Sequence, residues 1–215
     1  MNKVFIIGLP RTGTTSVCAA LLDHGFKVAH TAYTQQTFHL GDVFADTPCY
    51  CDYPQLDQRF PDSRFVYLDR ALSSWTPSMQ GLLQKMATNL GPSGHFNPII
   101  KRCFTDTFEL NQATDPLSDE HLMRCYERHQ QQVAAYFACR KDCLTLDVSQ
   151  PGGLSVLLNF LGKSNSENLD FPHLNANHKV SAWRNIKHPN KLNSSASGPN
   201  KRRYFDFTEF THRVN

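Results

Sequence analysis

The chain has 215 residues, 40% hydrophobic and 19% charged, an ordinary composition for one soluble α/β domain with a full core. Its 22 basic and 19 acidic residues leave a net charge of +3, too slight a bias to argue for nucleic acid as a partner, although it suits a polyanionic nucleotide. No run reaches the roughly 18 consecutive apolar residues of a membrane span, and an apolar strand starts within a few residues of Met1, so neither membrane nor signal peptide is expected and the expected location is the cytoplasm.

The first element carries the most information. Val4, Phe5, Ile6 and Ile7 form an apolar run that ends in Gly8-Leu9-Pro10-Arg11-Thr12-Gly13-Thr14-Thr15. Gly8 and Gly13 keep the spacing of a Walker A loop, G-x-x-x-x-G-K-[ST]. Thr14 stands where the lysine would reach the β/γ-phosphates, and the cation moves to Arg11. Gly13 permits close backbone approach, and a helix begins at Thr14 or Thr15. Its free N–H groups, the positive end of its dipole and the hydroxyls of Thr12, Thr14 and Thr15 form a site for phosphate or sulfate that requires no metal. A capped strand-to-helix turn is the plainer reading, but Arg11 beside three threonines and two glycines exceeds what a cap needs.

Along the chain, strand-like runs at 4–9, 26–30, 64–68 and 143–148 alternate with helical patterns at 14–24, from 73 or 75 to 86, from 118 or 119 to 138, and at 153–161. Gly25 and Gly162 read as helix stops. This alternation predicts an α/β domain of P-loop-like topology, a three-layer fold with a central parallel sheet of four or five strands and helices on both faces. In the 119–138 helix, Leu122, Tyr126, Val133 and Phe137 give a broken apolar stripe beside Gln130-Gln131-Gln132, the pattern of a partly exposed packing helix.

Segments 31–58 and 88–117 show no readable motif. Their aromatics, Tyr33, Phe38, Phe44, Tyr50, Tyr53, Phe96, Phe104 and Phe108, suit a ring-containing acceptor or simply a core. After about residue 175 the composition shifts toward Asn, Ser, Lys, Pro and His. The domain is therefore placed at 1–175 and a polar C-terminal extension, a partly ordered loop or tail, at 176–215, with order returning near Tyr204-Phe205-Asp206-Phe207. The seven cysteines form an odd set without paired C-x-x-C spacing, so they read mostly as reduced core residues, with Cys49 and Cys51 on an extended segment and no metal expected. The oligomeric state has no signature.

The second informative stretch is Arg64-Phe65-Val66-Tyr67-Leu68-Asp69-Arg70, followed eight positions later by Ser78. An arginine at the carboxyl end of a parallel strand lies where open α/β sheets bind ligands, and its planar fork suits a phosphate. A serine about two helical turns on can face the same crevice. A surface ion pair and a helix cap are the plain alternatives.

The loop Pro10-Arg11-Thr12-Gly13-Thr14-Thr15 resembles the 5′-phosphosulfate loop, P-[KR]-[ST]-G-T-[TS], of the sulfotransferases that use 3′-phosphoadenosine 5′-phosphosulfate, PAPS. Arg70 with Ser78 is similar to that family's 3′-phosphate pair, and Ser73-Ser74-Trp75 resembles the R-x-x-x-S-W-x-x-S version of a bacterial-type branch. The likeness continues through Phe60-Pro61-Asp62-Ser63-Arg64-Phe65, Tyr136-Phe137, Leu144-Thr145-Leu146-Asp147-Val148 and Leu158-Asn159-Phe160-Leu161-Gly162, so it covers roughly residues 3 to 175. It implies a PAPS donor, a PAP product, and a small-molecule or glycan acceptor. It also implies donor contacts from Pro10, Arg11, Thr12, Gly13, Thr14, Thr15, Arg70 and Ser78, with Arg11 on the bridging oxygen. The family's late basic loop has a loose counterpart in Lys201-Arg202-Arg203, without the R-K-G pattern.

The acceptor's proton requires a base. Asp46 resembles an acidic residue before proline in related sequences, or else forms an Asx turn before Thr47-Pro48. His30 and His39, and further Asp52, are the other candidates. Two rival functions stay open. Phe65-Val66-Tyr67-Leu68-Asp69, and more loosely Leu144-Thr145-Leu146-Asp147, fit a Walker B strand and hence a P-loop kinase; the cradle without a competent base fits a non-catalytic nucleotide-binding module.

Overall fold

The computed structural model describes residues 3–163, 168–172 and 183–205. Five parallel strands, β1 (Val4–Ile6), β2 (Val28–Ala29), β3 (Val43–Phe44), β4 (Arg64–Asp69) and β5 (Cys143–Asp147), form one sheet in the order β2-β3-β1-β4-β5. Seven helices are described around it: α1 (Thr14–Asp23), α2 (Gln35–Leu40), α3 (Cys49–Arg59), α4 (Leu72–Leu90), α5 (Pro98–Thr107), α6 (Asp119–Tyr136) and α7 (Gly153–Phe160). The three-layer α/β arrangement read from the sequence is the observed one.

Every residue of β1 is buried, as an apolar strand covered on both faces requires. One core lies under α2 to α6 and collects Phe5, Phe44, Phe65, Tyr67, Trp75 and Tyr126. The other lies under α1 and α7 and collects Ile6, Val66, Leu68, Leu21 and Leu157. Neighbouring residues of one strand thus point into different layers. From β1 the chain builds β2 and β3 on one side, then returns past β1 to build β4 and β5 on the other. The reversal falls between β1 and β4, and in open α/β sheets ligands bind outside the carboxyl ends of the strands at such a point. The glycine loop follows β1, and Arg70 follows β4.

Several boundaries differ from the sequence reading. β3, only two residues long, lies where the sequence predicts no strand. The helix expected to end at 86 runs to Leu90 and includes Pro77 in its second turn. Cys49 and Cys51 are not on an extended segment. They open α3, whose backbone leaves helical geometry at Asp52 (φ −109°, ψ 22°), two residues before Pro54. Cys51 and Cys103 are joined as a disulfide between α3 and α5, Cα atoms 6.0 Å apart, where reduced thiols were expected. The spacing of the two cysteines in sequence, 52 residues, carried no sign of that proximity.

The C-terminal segment 183–205 lies along the free edge of β2. Val28 N donates to Asn190 O at 3.0 Å and Leu192 N to Val28 O at 2.9 Å, so residues 190–192 cap an edge that would otherwise display unpaired backbone groups. Thr34 Oγ1 donates to Ala196 O at 2.8 Å, and Phe205 N donates to Tyr33 O at 2.8 Å. The Phe205 ring then packs at 4.6 Å from Phe38 and 5.9 Å from Phe60, inside the larger core. The boundary placed at 175 and the expected order at Asp206 and Phe207 lie outside the described residues.

Candidate active site

The loop after β1 turns twice through left-handed backbone. Arg11 has φ 74° and Gly13 φ 106°, and helix α1 starts directly behind Gly13 with no side-chain cap. The first amides of a helix have no acceptor within it, so the N–H groups at Thr14 and Thr15 face the turn unpaired by the helix. Gly13 is needed twice over: its φ penalises other residues, and an added Cβ would lie 2.6 Å from Val148 Cγ2. Gly8 has no room either, since a Cβ would lie 2.6 Å from that of Leu68 and 2.7 Å from Thr12 Oγ1.

Interior contacts hold the loop. Thr12 is fully buried and donates to Leu9 O both from Oγ1 at 2.7 Å and from its amide at 3.3 Å, so both of its donors are spent inside the turn and the amides from Gly13 onward remain for an anion. Trp75, fully buried near the start of α4, donates from Nε1 to Pro10 O at 2.9 Å. Trp75 is the tryptophan of the Ser73-Ser74-Trp75 motif, and this contact gives it a role: it fixes the peptide just before Arg11.

Two guanidiniums meet over this turn. Arg11 donates from Nε to Ser78 Oγ at 2.8 Å, and Arg70 donates from Nη1 to the carbonyl of Arg11 at 2.6 Å and from Nε to Ser74 Oγ at 3.0 Å. Ser78 therefore stands on Arg11, and the serine on Arg70 is Ser74. Among the described residues neither arginine has a carboxylate within salt-bridge distance. Burial, together with the neighbouring Arg11 charge, pushes Arg70 down from its ordinary value. Asp147 opposes that shift only from beyond salt-bridge distance, so two closely spaced cations at the foot of a helix amino terminus form an electrostatic arrangement that an anion stabilises.

Arg70 is set in place by Tyr126, a member of the apolar stripe that the sequence assigns to packing. Tyr126 on α6 donates its hydroxyl to Asp69 Oδ1 at 2.6 Å and accepts from Arg70 N at 2.7 Å. Burial and the Asp69 acceptor hold that phenol firmly protonated. Asp69, the aspartate of the Walker B-like strand, thus spends Oδ1 on Tyr126 and on the amide of Arg70 at 2.9 Å. Asp147 likewise takes the amide and hydroxyl of Ser149, at 2.8 and 2.7 Å.

The base candidates separate. His30, just past β2, places Nε2 at 3.2 Å from Thr14 Oγ1 and 3.1 Å from Thr15 Oγ1, with Nδ1 4.0 Å from Asp46 Oδ2. Two candidates that the sequence could not link therefore stand together at the rim of the glycine turn. The Asx turn given as the plain alternative for Asp46 does not form: Oδ1 accepts at 2.7 Å from the adjacent Thr47 N, and the residue two positions on, Pro48, has no N–H to give. Oδ2 faces the imidazole. Burial is the main influence on His30 and lowers its pKa below the usual 6.5; Asp46 opposes that and Lys191 adds to it. The imidazole is thereby neutral near pH 7, the form a base requires. His39 is exposed at the end of α2, and Asp52 is held by Arg102 through two bonds of 3.0 and 2.5 Å, so neither belongs to this cluster.

The basic run takes its contacts elsewhere. Lys201 and Arg203 line a cavity of about 460 Å³ with Gln35, Arg59 and Phe60, between α2 and the end of α3, and Arg203 O accepts from Gln35 N at 3.2 Å.

A family model described as a sulfotransferase domain matches residues 3–40 and 31–180, which includes the glycine loop, His30, Asp46, Arg70 and Ser78. The chain belongs to the sulfotransferase family, and the class its fold and loop define is that of a transferase. No curated protein sequence matches it. Among the described residues no helix is long and apolar enough to cross a membrane.

Proposed function

We propose that this protein transfers a sulfuryl group from PAPS to a hydroxyl or amine of a small-molecule or glycan acceptor by in-line displacement, releasing PAP. The observation that carries the reading is the convergence of Arg11, Arg70 and Ser78 on the uncapped start of α1. Sulfuryl transfer resembles phosphoryl transfer in that positioning and electrostatic stabilisation supply most of the catalysis. The backbone amides of residues 13–15 and the hydroxyls of Thr14 and Thr15 would bind the 5′-phosphosulfate; Arg70 would bind the 3′-phosphate side.

In this scheme the acceptor oxygen or nitrogen attacks sulfur while the bond from sulfur to the bridging oxygen breaks. Negative charge grows on the departing 5′-phosphate, where Arg11 neutralises it. With the hydroxyls of Thr14 and Thr15 turned from His30 to the donor, Nε2 is free to take the acceptor's proton, and Asp46 stabilises the resulting imidazolium. Thr14 in place of a Walker A lysine, with both aspartates of the Walker B-like strands engaged by neighbouring groups, disfavours the kinase alternative. Incubation of the purified protein with labelled PAPS and a metabolite extract tests the reading. Label on an acceptor, lost in Arg11→Ala, is the expected result. Tight PAP binding without transfer to any acceptor would replace it with a binding module.

A further inference from the structure

The cluster around His30 is closed on one side by a residue from the far end of the chain. The Trp183 ring lies 5.4 Å from the His30 ring, centroid to centroid, at an interplanar angle of 32°. Lys191 holds that tryptophan. Its ammonium lies 5.0 Å from the centre of the Trp183 ring and donates to Trp183 O at 2.6 Å and Ile186 O at 2.8 Å. The clamp is in turn tied to the sheet, since Lys191 bridges Val28 in parallel register and the amide of Leu192 donates to Val28 O. His30 follows Val28 by two residues, directly past the end of β2, so the clamp and the imidazole share one frame.

Both ring nitrogens of His30 already face polar partners, the hydroxyls of Thr14 and Thr15 at Nε2 and Asp46 at Nδ1. Those contacts act at the edge of the ring and not on its faces. We propose that Trp183 is a positioning residue for His30, an indole wall, clamped by Lys191, that holds the imidazole against tilting and keeps water from one face. The proposal rests on His30 as the base of the sulfuryl transfer described above, and it makes the C-terminal segment part of the active site.

Burial is the largest influence on His30, ahead of the opposing Asp46 carboxylate from the loop after β3 and the Lys191 ammonium from the C-terminal segment; the α1 hydroxyls that face it are uncharged. Removing the indole while leaving Lys191 in place returns water to the ring. The pKa then rises toward 6.5.

The test compares wild type, Trp183→Phe and Trp183→Leu by proton NMR titration of the histidines, with His30→Gln to identify the resonance. Trp183→Leu is expected to raise the His30 pKa by about half a unit or more, and Trp183→Phe to stay close to wild type. In the transfer assay Trp183→Leu is expected to lower kcat about tenfold and to move its acidic limb upward with the NMR value, while the Kd for PAP stays within about twofold. An unmoved His30 pKa in Trp183→Leu would overturn the proposal, as would a parallel loss of PAP binding. The titration needs no turnover. A shifted His30 in a wild-type protein that transfers no sulfate would reject the transfer reading and keep the Trp183 contact.

Discussion

Arg11 donates from Nε to the hydroxyl of Ser78 at 2.8 Å, across 67 residues of sequence. The bond aims a guanidinium that sits on a left-handed residue of the glycine turn, and the carbonyl of that same residue receives Arg70. Arg11 is thus the point where the glycine turn after β1 and the arginine and serines after β4 touch.

Arg11→Ala is expected to lower kcat about 10²- to 10³-fold in sulfuryl transfer, the cost of removing one preorganised group at a developing negative charge. Ser78→Ala, which frees the guanidinium from its tether, should produce a smaller loss in the same direction. Steady-state kinetics checks both; turnover unchanged in Arg11→Ala would exclude the role, with circular dichroism showing that the fold is intact.

His30→Asn is expected to reduce kcat about 10²- to 10⁴-fold, the usual contribution of a general base. Because burial places the His30 pKa below 6.5, the wild-type rate should be flat through neutrality and fall only as acid protonates the ring. The pH profile of kcat checks the sign: a limb falling toward alkaline pH in this range would contradict a neutral imidazole base.

His129 gives a stability prediction. It lies on α6, donates from Nε2 to Tyr50 O at 2.8 Å, and leaves Nδ1 buried with no hydrogen-bond partner among the described residues; burial pushes its pKa from 6.5 down to about 4. The unfolded chain therefore binds the proton first as the pH falls. The stability contribution is complete above pH 6.5 and is lost progressively toward about pH 4, a loss of about 3 kcal/mol. Urea unfolding at stepped pH should show this slope, and His129→Gln should flatten it; equal slopes in the two proteins would count against the buried neutral form.

The link between α3 and α5 is open to a direct count. Denatured, unreduced protein should yield five reactive thiols, from Cys18, Cys49, Cys125, Cys139 and Cys143. Reduction of Cys51–Cys103 should cost about 2–4 kcal/mol of stability, as for closure of a comparable loop. Seven reactive thiols would show that the bond does not form.

The glycine turn and the arginine after β4 were legible because each is fixed by local grammar: glycine spacing after an apolar run, and a charge at a strand's end. β3 was not legible because its two residues, Val43 and Phe44, are too few for a period to show. Helix α3 hid behind Pro54 and the kink at Asp52, whereas α5 carried usable signals in Asn97, whose side chain accepts from Ile100 N at 2.9 Å, and in Pro98 at the first helical position. The site was half visible. His30 and Asp46 could each be proposed from residue type, but their 4.0 Å approach comes from adjacent strands β2 and β3, and no local pattern encodes strand order. Tyr126 and Trp183 are likewise tertiary: one reads as a helix stripe and the other lies in a polar stretch.

Calorimetric titration with PAP, set beside ATP with Mg²⁺, tests the donor site most directly. The account predicts that PAP binds without added metal and more tightly than ATP. It also predicts that Arg70→Ala loses about 1.5–3 kcal/mol of that affinity, the range for a hydrogen bond to a charged group. Preferential binding of ATP with Mg²⁺, or PAP affinity indifferent to Arg70, would contradict it.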